Sequence, residues 1–113
     1  MQIAPIFTVD FNSFKEDIVN RTGDIPVLVD FWADWCAPCI SINPNITAVV
    51  NDFESRIQLA KLEVDSGENM KLVSEYNVRG FPTIIMFLHG KEIARFSGSR
   101  SQEWIKDWIS GYL

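Results

Sequence analysis

The run Val27-Leu28-Val29-Asp30-Phe31-Trp32 constrains the fold of this chain more than any other stretch, because Asp30 alone interrupts its apolar character. A strand with one wet face alternates apolar and polar residues. A near-continuous apolar run bounded by turn residues is instead a strand covered on both faces. Gly23, Asp24 and Pro26 provide the boundary before it. The run therefore predicts the central strand of a sheet that carries helices on each side.

The rest of the chain supplies the other elements. Ile6 to Val9 predicts a short first strand, and Ser13-Phe14-Lys15-Glu16 has the spacing of a capping box, which predicts a first helix to about Arg21. Ile42, Ile46, Val49 and Phe53 recur at the spacing of one buried helix face. Pro44 falls inside that helix and predicts a kink rather than two helices. A strand over Ile57 to Val64 follows, then a third helix with Met70, Val73 and Tyr76 facing inward. Gly80 and Pro82 mark a turn into the strand Thr83–Leu88, and His89-Gly90 makes a hairpin into Glu92 to Phe96. Ser101 can cap a last helix with Ile105, Trp108, Ile109 and Tyr112 on one face. Crossovers first and a hairpin last imply an α/β fold with a central mixed sheet of five strands flanked by four helices.

At 113 residues this is one domain, residues 1–113, large enough to bury roughly 65% of its unfolded surface. Fifteen acidic residues stand against ten basic ones with no basic cluster, which argues against a nucleic-acid partner. No apolar stretch approaches the ~20 residues that span a bilayer, so no membrane partner is expected. The first basic residue is Lys15, and Pro5 interrupts the apolar start, unlike a secretory signal. Met1 then reads as the natural start, and a reducing, cytoplasmic setting is expected.

Cys36 and Cys39 are the chain's two cysteines. At i and i+3 on a helix their Cβ atoms lie roughly 5 to 6 Å apart, close enough to bond and reopen with little movement. At the first turn Cys36 also meets unpaired backbone N–H groups, which favour thiolate and make it the candidate nucleophile. Two other readings compete. A structural staple closing so short a loop contributes only about 2 kcal/mol in the chain-entropy model. A zinc site would lack ligands, since the single distant His89 is the sole histidine and reads as an exposed turn residue. Asp30 adds a second clue, because a carboxylate in an apolar strand needs a partner or a purpose. Lys61 shares strand parity with Ile57 and Leu59 and is the candidate partner.

With Val29-Asp30-Phe31-Trp32-Ala33-Asp34-Trp35-Cys36-Ala37-Pro38-Cys39, Pro44, Ala60-Lys61-Leu62, Val78-Arg79-Gly80-Phe81-Pro82-Thr83 and Gly98 in place, the chain resembles the thioredoxin family nearly end to end. The resemblance implies a protein dithiol/disulfide oxidoreductase that reduces disulfides of partner proteins. Cys36 would attack the substrate disulfide, Cys39 would resolve the mixed disulfide, and Asp30, paired with Lys61, would take the Cys39 proton. Pro82 matches the family's cis-proline. Trp35, Ala37, Pro38, Gly80, Phe81 and Gly98 would frame an apolar substrate groove, the glycines allowing close approach of substrate backbone. No metal and no cofactor beyond the Cys36–Cys39 disulfide are expected. Without a GxGxxG motif the chain would be recharged by a separate thioredoxin reductase, and it is expected to be a monomer. Rival readings are a thiol oxidase or isomerase on the same fold and a thioredoxin-like chaperone or binding module. Two departures bear on redox poise and partner choice: Ala37 stands where the family mostly has Gly, and Ile40 where a basic residue is common.

Overall fold

The computed structural model describes residues 5–113; Met1, read above as the natural start, lies outside them. Five strands form one mixed sheet in the order β1-β3-β2-β4-β5. They are β1 (Ile6–Thr8), β2 (Val27–Trp32), β3 (Gln58–Glu63), β4 (Thr83–Leu88) and β5 (Lys91–Ser97). β2 is central, pairing in parallel with β3 and antiparallel with β4. Its first five residues are buried, as the apolar run predicts for a strand covered twice.

The helices are α1 (Phe11–Phe14), α2 (Ala37–Asp52), α3 (Met70–Glu75) and α4 (Gln102–Ser110). The side-chain alternation of β2 separates two apolar layers. Val27, Val29 and Phe31 join Phe14, Ile18, Leu72, Val73 and Phe87 on the α1/α3 side. Leu28 joins Ile42, Ile46, Val49, Ile84, Ile105 and Ile109 on the α2/α4 side. Asp30, two residues beyond Leu28, belongs to this second face.

The start of the first helix differs from the sequence expectation. Asp10, not Ser13, is the N-cap: Asp10 Oδ1 accepts from Ser13 N at 2.9 Å, and Ser13 Oγ accepts from Asp10 N at 3.0 Å. The helix also ends before Arg21. After Phe14 it widens into a π-helical stretch, Lys15–Val19, closed by Asn20 N donating to Lys15 O at 2.9 Å. The third helix turns differently too, because Met70 is exposed while Leu72 and Val73 are buried. Buried Asn69 stitches this region together, accepting from Phe11 N and donating to Glu63 O, each at 2.7 Å.

α2 continues through Pro44 as one helix. Ile42, Ile46, Val49 and Val50 are buried there, and at about 2 kcal/mol each their burial outweighs the roughly 3 kcal/mol that proline costs inside a helix. The β4–β5 turn has His89 at φ 52° and Gly90 at φ 77°, the backbone of a two-residue hairpin. A Cβ at Gly90 would collide with the Val19 carbonyl, so this glycine lets the hairpin sit against the end of the first helix. His89 is exposed and its Nε2 lies 2.8 Å from Asp24 Oδ1. At the other end Ser101 caps α4, as its position predicts. Ile105 and Ile109 are buried, whereas Trp104 and Tyr112 stay substantially exposed and form an edge-on aromatic row with Phe96 and Trp108.

Candidate active site

β2 ends at Trp32, and the chain then turns through Ala33 to Trp35 before α2 begins. Cys36 is the N-cap of α2 in extended backbone conformation, with Pro38 in the first turn, where a missing N–H costs nothing. Cys36 Sγ accepts from Cys39 N at 3.2 Å. The two cysteines are joined as a disulfide across a Cα–Cα distance of 5.2 Å. Cys36 is 5% exposed and Cys39 2%, so both residues are buried, Cys36 slightly less so. The surroundings are more open: Trp35 is 64% exposed and Ile40 59%. A sulfur at a helix start, bonded by a backbone N–H, sits where negative charge is stabilised.

Lys61 lies directly across the β2–β3 ladder from Asp30. Its Nζ donates to Asp30 Oδ2 at 2.8 Å. Asp30 is wholly buried, and its Oδ1 has no hydrogen-bond partner among the described residues. Burial pushes the carboxyl above the ordinary carboxylate range, and the Lys61 charge and hydrogen bond oppose that shift without cancelling it.

The Phe81–Pro82 peptide bond is cis, as the resemblance implies. Pro82 O accepts from Gly98 N at 2.9 Å, and Thr83 Oγ1 donates to Gly80 O at 2.6 Å, so the turn is braced at both ends. Gly98 has φ 86°, a conformation that favours glycine, while Gly80 has open space where a Cβ would stand. The Trp35 and Phe81 rings meet edge to face at 5.9 Å. Asn45 Nδ2 donates to Arg100 O at 3.0 Å, tying the chain after Gly98 to α2.

The expected residues thus fall into two groups. Trp35, Ala37 and Pro38 are exposed beside the cysteines in sequence, Gly80, Phe81 and Gly98 are partly exposed and Pro82 is buried, while Asp30 is wholly buried and Lys61 partly so. Two contacts escaped the sequence reading. Trp35 Nε1 donates to Asp65 Oδ2 at 2.6 Å, and Asn43 Oδ1 accepts from Lys61 Nζ at 2.6 Å. Asp65 is thirty residues from Trp35 and leaves no local signal. Asn43 does leave one, because it stands one helical turn after Cys39. Among the described residues no group of three or more His, Cys, Asp or Glu is placed to hold a metal ion. No helix among them is long and apolar enough to cross a membrane.

A mixed five-stranded sheet, a Cys-x-x-Cys disulfide at a helix N-terminus and a cis-proline at the start of β4 together define a thiol–disulfide oxidoreductase. The thioredoxin family model matches residues 5–111. Thioredoxin of Porphyra purpurea is 34% identical over 101 residues, covering 89% of this chain and 91% of the relative. Thioredoxin of Rickettsia bellii is 36% identical over 101 residues, covering 89% and 92%. Thioredoxin of Rickettsia typhi is 37% identical over 98 residues, covering 87% and 90%. The chain belongs to the thioredoxin family and is a protein disulfide oxidoreductase.

Proposed function

We propose that the chain works chiefly as a reductase of protein disulfides, with Cys36 as nucleophile, Cys39 as resolving thiol and Asp30 as the proton acceptor that Lys61 orients. In the reduced protein the Cys36 thiolate attacks one sulfur of a substrate disulfide. The Cys36–substrate bond forms as the substrate disulfide breaks, and the other substrate sulfur leaves as thiolate. Cys39 passes its proton to the Asp30 carboxylate, directly or through water, and its sulfur attacks Cys36 Sγ. The second substrate sulfur leaves, and the Cys36–Cys39 disulfide holds the two electrons' worth of oxidation. The closed pair at the α2 N-terminus is the observation that carries this reading.

Asp30 suits its role because burial lifts its proton affinity above that of an ordinary carboxylate, and the free Oδ1 lone pairs can take a proton. Trp35, Ala37, Pro38, Gly80, Phe81, Pro82 and Gly98 form the surface against which an extended substrate segment lies, with the Phe81 backbone offered to it. The substrates are disulfide-containing proteins, and a separate reductase returns electrons to the pair. A reducing compartment such as the cytoplasm suits that cycle, and the chain acts as a monomer.

Reduction of insulin by dithiothreitol tests the reading. The wild type should accelerate it and Cys36→Ser should not, while no acceleration by the wild type would overturn the proposal. Cys39→Ser should accumulate mixed disulfides through Cys36, and Asp30→Asn should slow their release without slowing their formation. Trapping through Cys39 in the Cys36→Ser protein instead would reverse the two sulfur roles.

A further inference from the structure

Lys61 is held at more points than an ion pair needs. Its Nζ bonds Asp30 Oδ2 at 2.8 Å and Asn43 Oδ1 at 2.6 Å, and it stands 5.3 Å from the Trp32 ring centroid. Asn43 comes from α2, whereas Lys61 and Asp30 come from neighbouring strands. Together Trp32, Ile40, Asn43 and Lys61 line a cleft of about 180 Å³. The cleft is therefore open to water beside the Lys61 cation that meets the buried carboxylate.

We propose that Asn43 is a positioning residue for the disulfide chemistry: its side-chain carbonyl tethers the Lys61 ammonium from the solvent side and keeps it on Asp30. The proposal rests on the reading of Asp30 as proton carrier. A lysine side chain gives up much of its rotamer freedom when fixed, and this one, 18% exposed, has water as an alternative partner. A second acceptor on the solvent side removes much of that alternative. Asn43 does so without adding charge, so the attraction between Lys61 and Asp30 is not diluted by a competing carboxylate.

Among the described residues, Lys61 is the charge that bears on Asp30. Its ladder neighbour on β4 is Ile84, α2 offers the disulfide-bonded Cys39 and neutral Asn43, and β3 offers Lys61. A change at Asn43 must then reach Asp30 through Lys61. Asn43 is exposed on a helix, where alanine is tolerated well, so Asn43→Ala should fold.

The test is a carbon-13 NMR titration of the Asp30 carboxyl in the oxidised protein, for wild type, Asn43→Ala, Lys61→Met and the double variant. With Lys61 present, Asn43→Ala should raise the Asp30 midpoint by about half a pH unit, the size expected for one modest hydrogen bond lost from its charged partner. In the Lys61→Met background the same substitution should leave the midpoint where it is. An unchanged or lowered midpoint in the first comparison, or equal shifts in both backgrounds, would overturn the tether. The titration needs no turnover and so stands apart from the proton-carrier reading. That reading fails by a different result, mixed-disulfide release that is indifferent to Asp30→Asn.

Discussion

The two apolar layers on either side of the sheet are built from similar material and do different work. The α1/α3 layer is closed by aromatic contacts: Phe14 meets Tyr76 at 5.5 Å and Phe87 at 5.9 Å, and Tyr76 meets Phe87 at 5.4 Å. Its buried members are apolar, Cys36 and Cys39 among them. The α2/α4 layer is mostly Ile, Leu and Val, yet it contains the wholly buried Asp30 carboxylate. One layer maximises contact and the other gives up some stability to hold a buried carboxylate. The same division separates two ion pairs of nearly equal length. Lys71–Glu68, at 2.7 Å on the α3 surface, is open to water, whereas Lys61–Asp30, at 2.8 Å, is largely shielded. Burial, not distance, decides what each pair does.

The strongest way to break this contrast is Phe14→Ala, which should cost about 4 kcal/mol by lost transfer energy and an unfilled cavity. Urea unfolding measures it, and disulfide-exchange rates per folded molecule should stay within about twofold. A large fall in those rates would show that the aromatic layer also shapes the site.

Asp30→Asn should move stability the other way. Asp30 titrates above its unfolded value, so the native state keeps a proton over a pH range in which the unfolded chain has released it. That stabilisation is complete below the ordinary carboxylate range and is lost as pH rises through the native titration. The variant should therefore exceed wild type by about 2 kcal/mol near neutral pH, and the gap should close below about pH 4. Lys61, being partly exposed, can turn to water when its partner's charge is removed. An equal gap at both pH values would remove buried charge as the cause.

The smallest effect belongs to Lys71→Ala, expected to cost no more than about 0.5 kcal/mol because both partners are more than half exposed. Lys71 also lies 5.2 Å from the Phe11 ring centroid, so a larger loss would identify that ring contact as the stabilising part.

Much of the fold was legible because its strands are short apolar runs with clear punctuation. β2 and β4 occupy the residues their runs predict, and the Cys-x-x-Cys pair and Asp30 announce themselves as exceptions to local pattern. The first helix was harder. Asp10-x-x-Ser13 and Ser13-x-x-Glu16 both present capping residues at the same spacing, and only the packing of Phe14 and Ile18 against the sheet selects the earlier start. α3 is too short for periodicity to choose a face, and Asn69 takes an inward position where Met70 was expected. The turn of π-helix has no residue signature of its own. In the site, Asp65 acts on a partner thirty residues away and has no local signal, whereas Asn43 is marked by its place one turn after Cys39 but its partner Lys61, eighteen residues on, is visible only in the fold.

Because Cys36 is at once the cap of α2 and a reacting sulfur, helix and redox chemistry draw on a single free energy. Whatever the helix start gains from charge on that sulfur, the charge gains equally from an intact helix start. Fraying the first turn would then weaken the thiolate as surely as moving a charge away from it. A substitution that touches neither sulfur, made anywhere that loosens the opening of α2, is by this reciprocity a substitution in the redox centre.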